Sequence, residues 1–536
     1  MFDYAIKNGL IVDGTGAEPY KATLYIEGQK IAKLSQDDSL EAKEVIDAAG
    51  LAVAPGFLDM HTHSDVSPYC APDFETALTQ GITFHLAGNC GSSTIPEAAG
   101  ERHGATGRAS AKSRFGMEAL DYRATDFASY REEINERGLA VNFSTLIGHG
   151  RLRSEVMADP NVVLPSEEEM QGMEKLLDMQ LAQGAMGLSL GLAYVPGVFS
   201  EIEELVRLGK VVAKHNAFIA VHMRSSGAAV FEALDEMGRV SVESGARVHL
   251  SHFKLTRAPQ WGKADELLAK YDEWVAKGAK FTADQYPYIA SSCGARLLIP
   301  LEIKKSNKKA MEVLGSDEKF AEIREHIVSE IAAYGGPQNI RLSPSNGKCP
   351  EALGKDLAQI AEIYGMEPAE AYRKVMYDTG LATSGIFYSM CEEDVFKIAE
   401  RMDVAVVSDG YGYNNATVGA NGMPHPRSAG SHSRFLRLAR EKQLMPLEKA
   451  VYKMTGLPAA IMQLEGRGVL AEGNWADVTV FDAENITDCA TFDQPALPAK
   501  GVHYVFVNGS KAFENGKTTG SRAGRVLSPV DPAAKT

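Results

Sequence analysis

Short apolar runs, each closed by polar side chains, recur through the middle of the chain. The first is Leu51-Ala52-Val53-Ala54, which passes through Pro55-Gly56 into Phe57-Leu58-Asp59-Met60 and stops at His61 and His63. The next run from Gly81 to Cys90 and from Val141 to His149, followed by Gly187–Leu192, Phe218–His222, Arg247–His252, Lys280–Gln285 and Val404–Asp409. Between them lie segments of helical period such as Ile202–Val212, with apolar residues three and four apart. Strand–helix alternation repeated eight times predicts an α/β fold, a (β/α)8 TIM-type barrel. The polar residues cluster where each strand ends, which is the functional face of such a barrel.

The two ends of the chain read differently. Tyr4–Gly14 and Ala22–Ala32 carry Asn-Gly, Asp-Gly and Glu-Gly turn signals between short strands, and Asp477–Phe481 and Val502–Gly509 look alike. A small β-sandwich domain built from both termini is expected, from residues 1–54 and from 466–536, the latter including a tail, around a barrel spanning 55–465. A long excursion at about 291–403 separates the seventh and eighth strands. Its early part, Leu301 to Gln338, is rich in Lys and Glu and is predicted helical. An insertion of this length over the catalytic face is read as a lid.

Composition narrows the function. The 536 residues exceed one compact core, and 45% apolar with 23% charged residues describes a soluble globular chain. A net charge of −15 argues against nucleic acid or an anionic membrane as partner, since both need a basic surface. The N-terminus shows no signal peptide, and no apolar run is long enough to span a bilayer. Six scattered cysteines fit a reduced, cytoplasmic protein.

The strand ends carry the candidate chemistry. His61 and His63 sit at i, i+2, so on a strand both imidazoles share a face. Cys90 closes the second strand, His222 the fifth, His252 the sixth and Asp409 the eighth. Imidazoles, a thiolate and a carboxylate converging on one bowl are zinc ligands by type. Lys254 follows His252 by two residues, and Arg427 lies on a loop after the eighth strand. These two are the local cations that an acidic protein needs to hold an anionic substrate.

This arrangement resembles the amidohydrolase superfamily and, within it, the N-acyl-D-amino-acid deacylases (D-aminoacylases). The resemblance covers almost the whole chain. It is carried by Pro55-Gly56-Phe57-Leu58-Asp59-Met60-His61-Thr62-His63, Gly88-Asn89-Cys90-Gly91, Gly148-His149-Gly150 and Gly191-Leu192-Ala193-Tyr194. It continues in His222-Met223-Arg224, Ser251-His252-Phe253-Lys254, Gln285-Tyr286-Pro287-Tyr288, Ser408-Asp409-Gly410 and His425-Pro426-Arg427. The fourth strand, Met186–Leu192, lacks the lysine that related hydantoinases and dihydroorotases carboxylate to bridge two metals, and the resemblance implies that Cys90 bridges instead.

The family's roles, carried onto matching positions, imply one tightly held zinc at Cys90, His222 and His252. A second, weaker position would use His61, His63 and the shared Cys90, with Asp409 close by. They imply hydrolysis of the amide of a small N-acyl-D-amino acid by a metal-activated water, with Asp409 as general base and then acid. Lys254, Tyr286, Arg427 and Tyr194 would bind substrate. Asp59 and Asp65 are candidate outer partners for the histidine ligands. His149 is either an outer partner or structural, Arg224 reads as structural, and Arg296 is a weaker candidate for an acidic substrate side chain, favoured slightly as a surface arginine. His85, His103, His215, His249, His326, His432 and His503 carry no expected role. The segments Ser291–Arg296 and Tyr411–Thr417 depart from the family pattern and are expected to shape the substrate pocket. Two other readings remain: a cyclic amidohydrolase, and an inactive scaffold barrel.

Overall fold

The computed structural model describes residues 1–98, 104–117, 120–345, 347–414 and 422–529. His103 and Asn415–Thr417 fall outside them. The centre of the fold is a ring of eight parallel strands: β1 (Phe57–Asp59), β2 (Ile82–Ala87), β3 (Asn142–Thr145, continued by Ile147–Gly148), β4 (Gly187–Gly191), β5 (Phe218–His222), β6 (Arg247–Leu250), β7 (Lys280–Gln285) and β8 (Val404–Val406). Each pairs in parallel with the next, as in Asp59↔His85, Gly191↔His222 and Gln285↔Val406. The ring closes just beyond the strands, where Thr62 bridges Gly410, the Asp409 amide donates to the His61 carbonyl at 2.9 Å, and the His63 amide donates to the Gly410 carbonyl at 2.6 Å. The closing contacts therefore run through the metal-ligand candidates themselves.

Strand interiors are apolar because they are buried on both faces. Leu58, Phe84, Leu86, Leu146, Phe218 and Ala405 pack inside the ring with Leu457, Leu464 and Leu527 beneath them. Leu527 belongs to the C-terminal tail, which runs back along β3, where the Phe143 amide donates to the Arg525 carbonyl at 2.9 Å and the Leu527 amide to the Phe143 carbonyl at 2.8 Å. Amphipathic helices such as Ile202–Lys214, which buries Leu205, Leu208 and Val212, cover the outside.

The chain ends do meet. Val478–Phe481 pairs antiparallel with Ala52–Pro55 in a sheet of seven strands, and the four strands Phe2–Lys7, Thr23–Glu27, Lys30–Ser35 and Ala42–Asp47 form a second sheet. Ile6, Leu24, Ile26 and Ile46 of one share a core with Val53, Val478, Val480 and Phe506 of the other. Between β7 and β8 the chain builds a unit with its own core, around Leu298, Phe320, Ile327, Leu342 and Tyr372. Helices Asn307–Leu314 and Asp317–Ala333 fill its early part as expected. The antiparallel sheet of Ala290–Gly294, Thr383–Tyr388 and Ile340–Pro344 was not expected. None of the described helices is long and apolar enough to cross a membrane.

Candidate metal centre

The strand ends bring the six candidate ligands together. Cys90 Sγ lies 3.5 Å from His61 Nε2, 3.7 Å from His222 Nδ1 and 3.6 Å from His252 Nε2. Asp409 Oδ1 lies 3.1 Å from His63 Nε2 and 3.6 Å from His61 Nε2. Three overlapping groups, His61–His63–Cys90, Cys90–His222–His252 and His61–His252–Asp409, each hold their ligand atoms within 4.8 Å of one another. A soft thiolate shared by several imidazoles beside a carboxylate fits zinc by its chemistry, and a thiolate so placed can serve two adjacent positions.

Local backbone aims these side chains. Cys90 (φ 54), His252 (φ 38) and Asp409 (φ 51) all occupy the left-handed region, uncommon for non-glycine residues, and each turns the chain sharply where a strand ends. The turn around Cys90 is held by its neighbours. Gly91 has φ 77, and a Cβ there would meet the Gly191 nitrogen at 2.6 Å. The Ser189 hydroxyl of β4 donates to the Gly88 carbonyl at 2.5 Å and accepts from the Gly91 amide at 3.0 Å. At its fourth strand the protein thus places a hydroxyl that fastens the cysteine loop.

Behind the ligands sits a carboxylate that the sequence analysis missed. Asp284, on β7, meets His61 Nδ1 at 3.0 Å and His249 Nε2 at 2.9 Å, and its other oxygen accepts from the His252 amide at 2.5 Å. It is fully buried, and although burial opposes its charge, His61 and His249 hold it below the usual carboxylate range. A carboxylate behind a ligating histidine fixes its tautomer and ring orientation. That role was expected of Asp59 or Asp65, and the contacts place both elsewhere. Asp59 accepts from the Ser408 amide at 3.0 Å, tying β1 to β8, and burial pushes it up to about 7. Asp65 accepts from the Gly88 amide at 3.0 Å. His249, given no role in the sequence analysis, is buried and orients Asp284 while its Nδ1 meets the Thr282 hydroxyl at 2.8 Å. The available signal was an acid within the buried strand Phe281–Gln285, one strand from two candidate ligands.

The expected substrate residues ring the centre. The Lys254 ammonium lies 2.7 Å from His252 Nδ1, and burial pushes it down to about 8. Its segment is not the extended strand anticipated, since His252 turns the chain. Tyr286 is buried, with Lys254 5.6 Å and the Arg427 guanidinium 4.9 Å from its ring centre. Tyr194 packs on His222 with ring centres 4.5 Å apart. Arg427 was expected on a loop; it begins helix Arg427–Glu441 and forms a buried ion pair with Asp409, Nη1 to Oδ2 at 2.7 Å. Burial would raise the Asp409 carboxyl, but Arg427, His61 and His63 together hold it well below the usual range.

The remaining candidates are held by protein partners. His149 pairs with Glu204 at 2.6 Å, and Glu204 with Arg153 at 2.7 Å, in a buried network. Arg224 pairs with Glu236 at 2.7 Å and holds the Val198 and Ser200 carbonyls. Arg296 donates to the Lys304 carbonyl inside the insertion.

Comparison with known proteins agrees with this geometry. The model of the Amidohydrolase family matches residues 44–291 and 405–512. The chain is 35% identical to N-acyl-D-glutamate deacylase of Alcaligenes xylosoxydans, over 98% of this chain and 96% of that one. It superposes with a TM-score of 0.82 on the crystal structure of N-acyl-D-glutamate deacylase from Bordetella bronchiseptica. That enzyme is 32% identical, the match covers 98% of this chain and 99% of that one, and it was solved with zinc and a phosphonate mimic of the tetrahedral intermediate. A D-aminoacylase whose binuclear metal centre is described as activated by one metal and attenuated by a second superposes at 0.81, with 30% identity over 98% of this chain and 100% of that one. With its ligand set drawn from the barrel strand ends and a match of this extent, the chain belongs to the amidohydrolase family, in its N-acyl-D-amino-acid deacylase branch, and is a metal-dependent hydrolase.

Proposed function

We propose that the protein hydrolyses the amide bond of N-acyl-D-amino acids, giving a carboxylate and a free D-amino acid. The observation that carries this is the placement of buried Lys254, Tyr286 and Arg427 around the thiolate–imidazole–carboxylate cluster. Cys90, His222 and His252 would hold one zinc tightly, and His61, His63 and Cys90, with Asp409 beside them, a second more weakly. A zinc held by these residues would supply Lewis-acid polarisation of the amide carbonyl and a lowered pKa for water near neutral pH. Asp409 takes the proton from the attacking water and delivers it to the leaving nitrogen as the C–N bond breaks. Lys254 and Arg427 bind the substrate α-carboxylate, with the Tyr286 ring between them, and Tyr194 walls the acyl-amide. Arg427 pairs with Asp409 in the absence of that carboxylate and so keeps both charges compensated in a buried site. The insertion at about 291–403 serves as the lid of a barrel spanning 55–465, with residues 1–54 and 466–536 as the small β domain. Its first strand supplies Ser292 and Cys293 to the cavity walls.

Cyclic amide opening is disfavoured because β4 offers Ser189, engaged with Gly88, where a bridging lysine is needed. The test compares zinc-loaded protein on N-acetyl-D-amino acids, their L enantiomers and cyclic ureides. Turnover of the D substrates alone is expected. Faster cleavage of the L series, or of ureides, overturns the reading.

A further inference from the structure

Two cavities, about 580 and 310 Å3, share His63, Cys90, Tyr194, Ser292, Cys293 and Asp409 in their walls. They are therefore two lobes meeting at the metal centre, and an amide cleaved there has one half in each. Lys254 and Tyr286 line only the smaller lobe. Arg427 lines only the larger lobe, so on the function proposed above the α-carboxylate it shares with Lys254 sits where the lobes meet, the amino-acid side chain takes the smaller lobe and the acyl half enters the larger one.

An acetyl group fills little of 580 Å3, a volume in the range that encloses drug-sized ligands. The wall is also polar. Ser92, Ser110 and the cross-strand pair Ser343 and Ser384 present hydroxyls from the β2 loop, the helix Ala105–Phe115 and the insertion sheet. Two arginines reach this lobe beyond Arg427. Arg151 is engaged by Glu97 and Glu155, at 2.8 and 3.1 Å. Arg114 lies over the Tyr411 ring, 5.0 Å from its centre, and donates one N–H to the His63 carbonyl. A guanidinium carries five N–H donors, so Arg114, anchored in this way and with Asp65 as its charged neighbour, retains N–H groups for a further carboxylate.

We propose that the acyl half is a dicarboxylic half-amide whose distal carboxylate is bound by Arg114 in the larger lobe, so that the enzyme prefers N-succinyl-type over N-acetyl-D-amino acids. The test measures kcat/KM for one D-amino acid carrying N-acetyl, N-butyryl, N-succinyl or N-glycyl groups. The succinyl substrate is expected to exceed the acetyl one by about tenfold, equivalent to ~1.4 kcal/mol. Arg114→Met is expected to abolish that ratio, and Ser384→Trp, which fills the lobe, to lower it. Reading ratios cancels any general loss from a disturbed His63 loop. Hydrolysis of N-acetyl-D-amino acids without succinyl preference overturns this inference and leaves the proposed function standing. A glycyl preference also overturns it, since Asp65 in the same wall would then be the selecting charge. Failure of every N-acyl-D-amino acid overturns both.

Discussion

At the scale of single residues, the centre depends on which charges face which. Asp409 touches two histidines and Arg427, and no other carboxylate is within reach of both ligand positions among the described residues. Asp409→Asn keeps the shape and the Cys90, His222 and His252 donors but removes the proton carrier. Zinc content is expected to persist while kcat falls by about 10²–10⁴-fold. A variant retaining a tenth or more of wild-type kcat would show that another group moves the proton. Asp284 makes a second claim at this scale. Asp284→Asn removes the charge that orients His61 and His249, and zinc affinity in a chelator competition is expected to drop about 10–100-fold. Unchanged affinity would reduce Asp284 to a packing residue. The candidate ligands were legible in the sequence because each ends an apolar run. Asp284 was not, because no local spacing reveals that one carboxylate reaches the rings of His61 and His249 and the His252 amide. Likewise, no pattern told that Arg427 would turn from a loop position into the first turn of a helix and pair with Asp409.

At the scale of elements, the eight strands could be read because parallel strands buried on both faces are continuous apolar runs. The insertion sheet escaped notice for the opposite reason. Ala290–Gly294 and Thr383–Tyr388 are short, interleave Ser and Gly with apolar residues, and pair across a long stretch of chain. The tail along β3 was hidden too, since its backbone contacts carry no side-chain signature. Helix Leu447–Met454 presents a measurable consequence of packing against the barrel. Its Lys453 is buried and donates to the Arg401 carbonyl, and burial pushes its ammonium down to about 7 from an ordinary 10.5. Between those values the unfolded chain binds a proton that the folded chain does not. Folding stability therefore gains from this group as pH rises through that window, with a slope of at most about 1.4 kcal/mol per pH unit. Lys453→Met is expected to flatten that slope in urea titrations from pH 7 to 10, with its largest relative gain near pH 7. A stability difference from wild type that does not vary with pH would contradict a neutral buried Lys453.

At the scale of the whole molecule, an acidic chain places two buried cations beside its candidate metal centre. Net charge is −15, yet Lys254 and Arg427 are both almost fully buried at the centre. Fold and site are also one construction. The ring closes through His61, His63, Asp409 and Gly410, so the contacts that join the first and eighth strands also position the candidate ligands. The central proposal is a cysteine-centred zinc site for D-selective amide hydrolysis. The most direct measurement strips the protein of metal and titrates zinc back while following hydrolysis of an N-acyl-D-amino acid, with Cys90→Ala in parallel. No turnover is expected without metal, a rise to a plateau near one equivalent of zinc in the wild-type protein, and a flat line for Cys90→Ala. Turnover in the stripped protein, or a Cys90→Ala curve that follows the wild type, would contradict it.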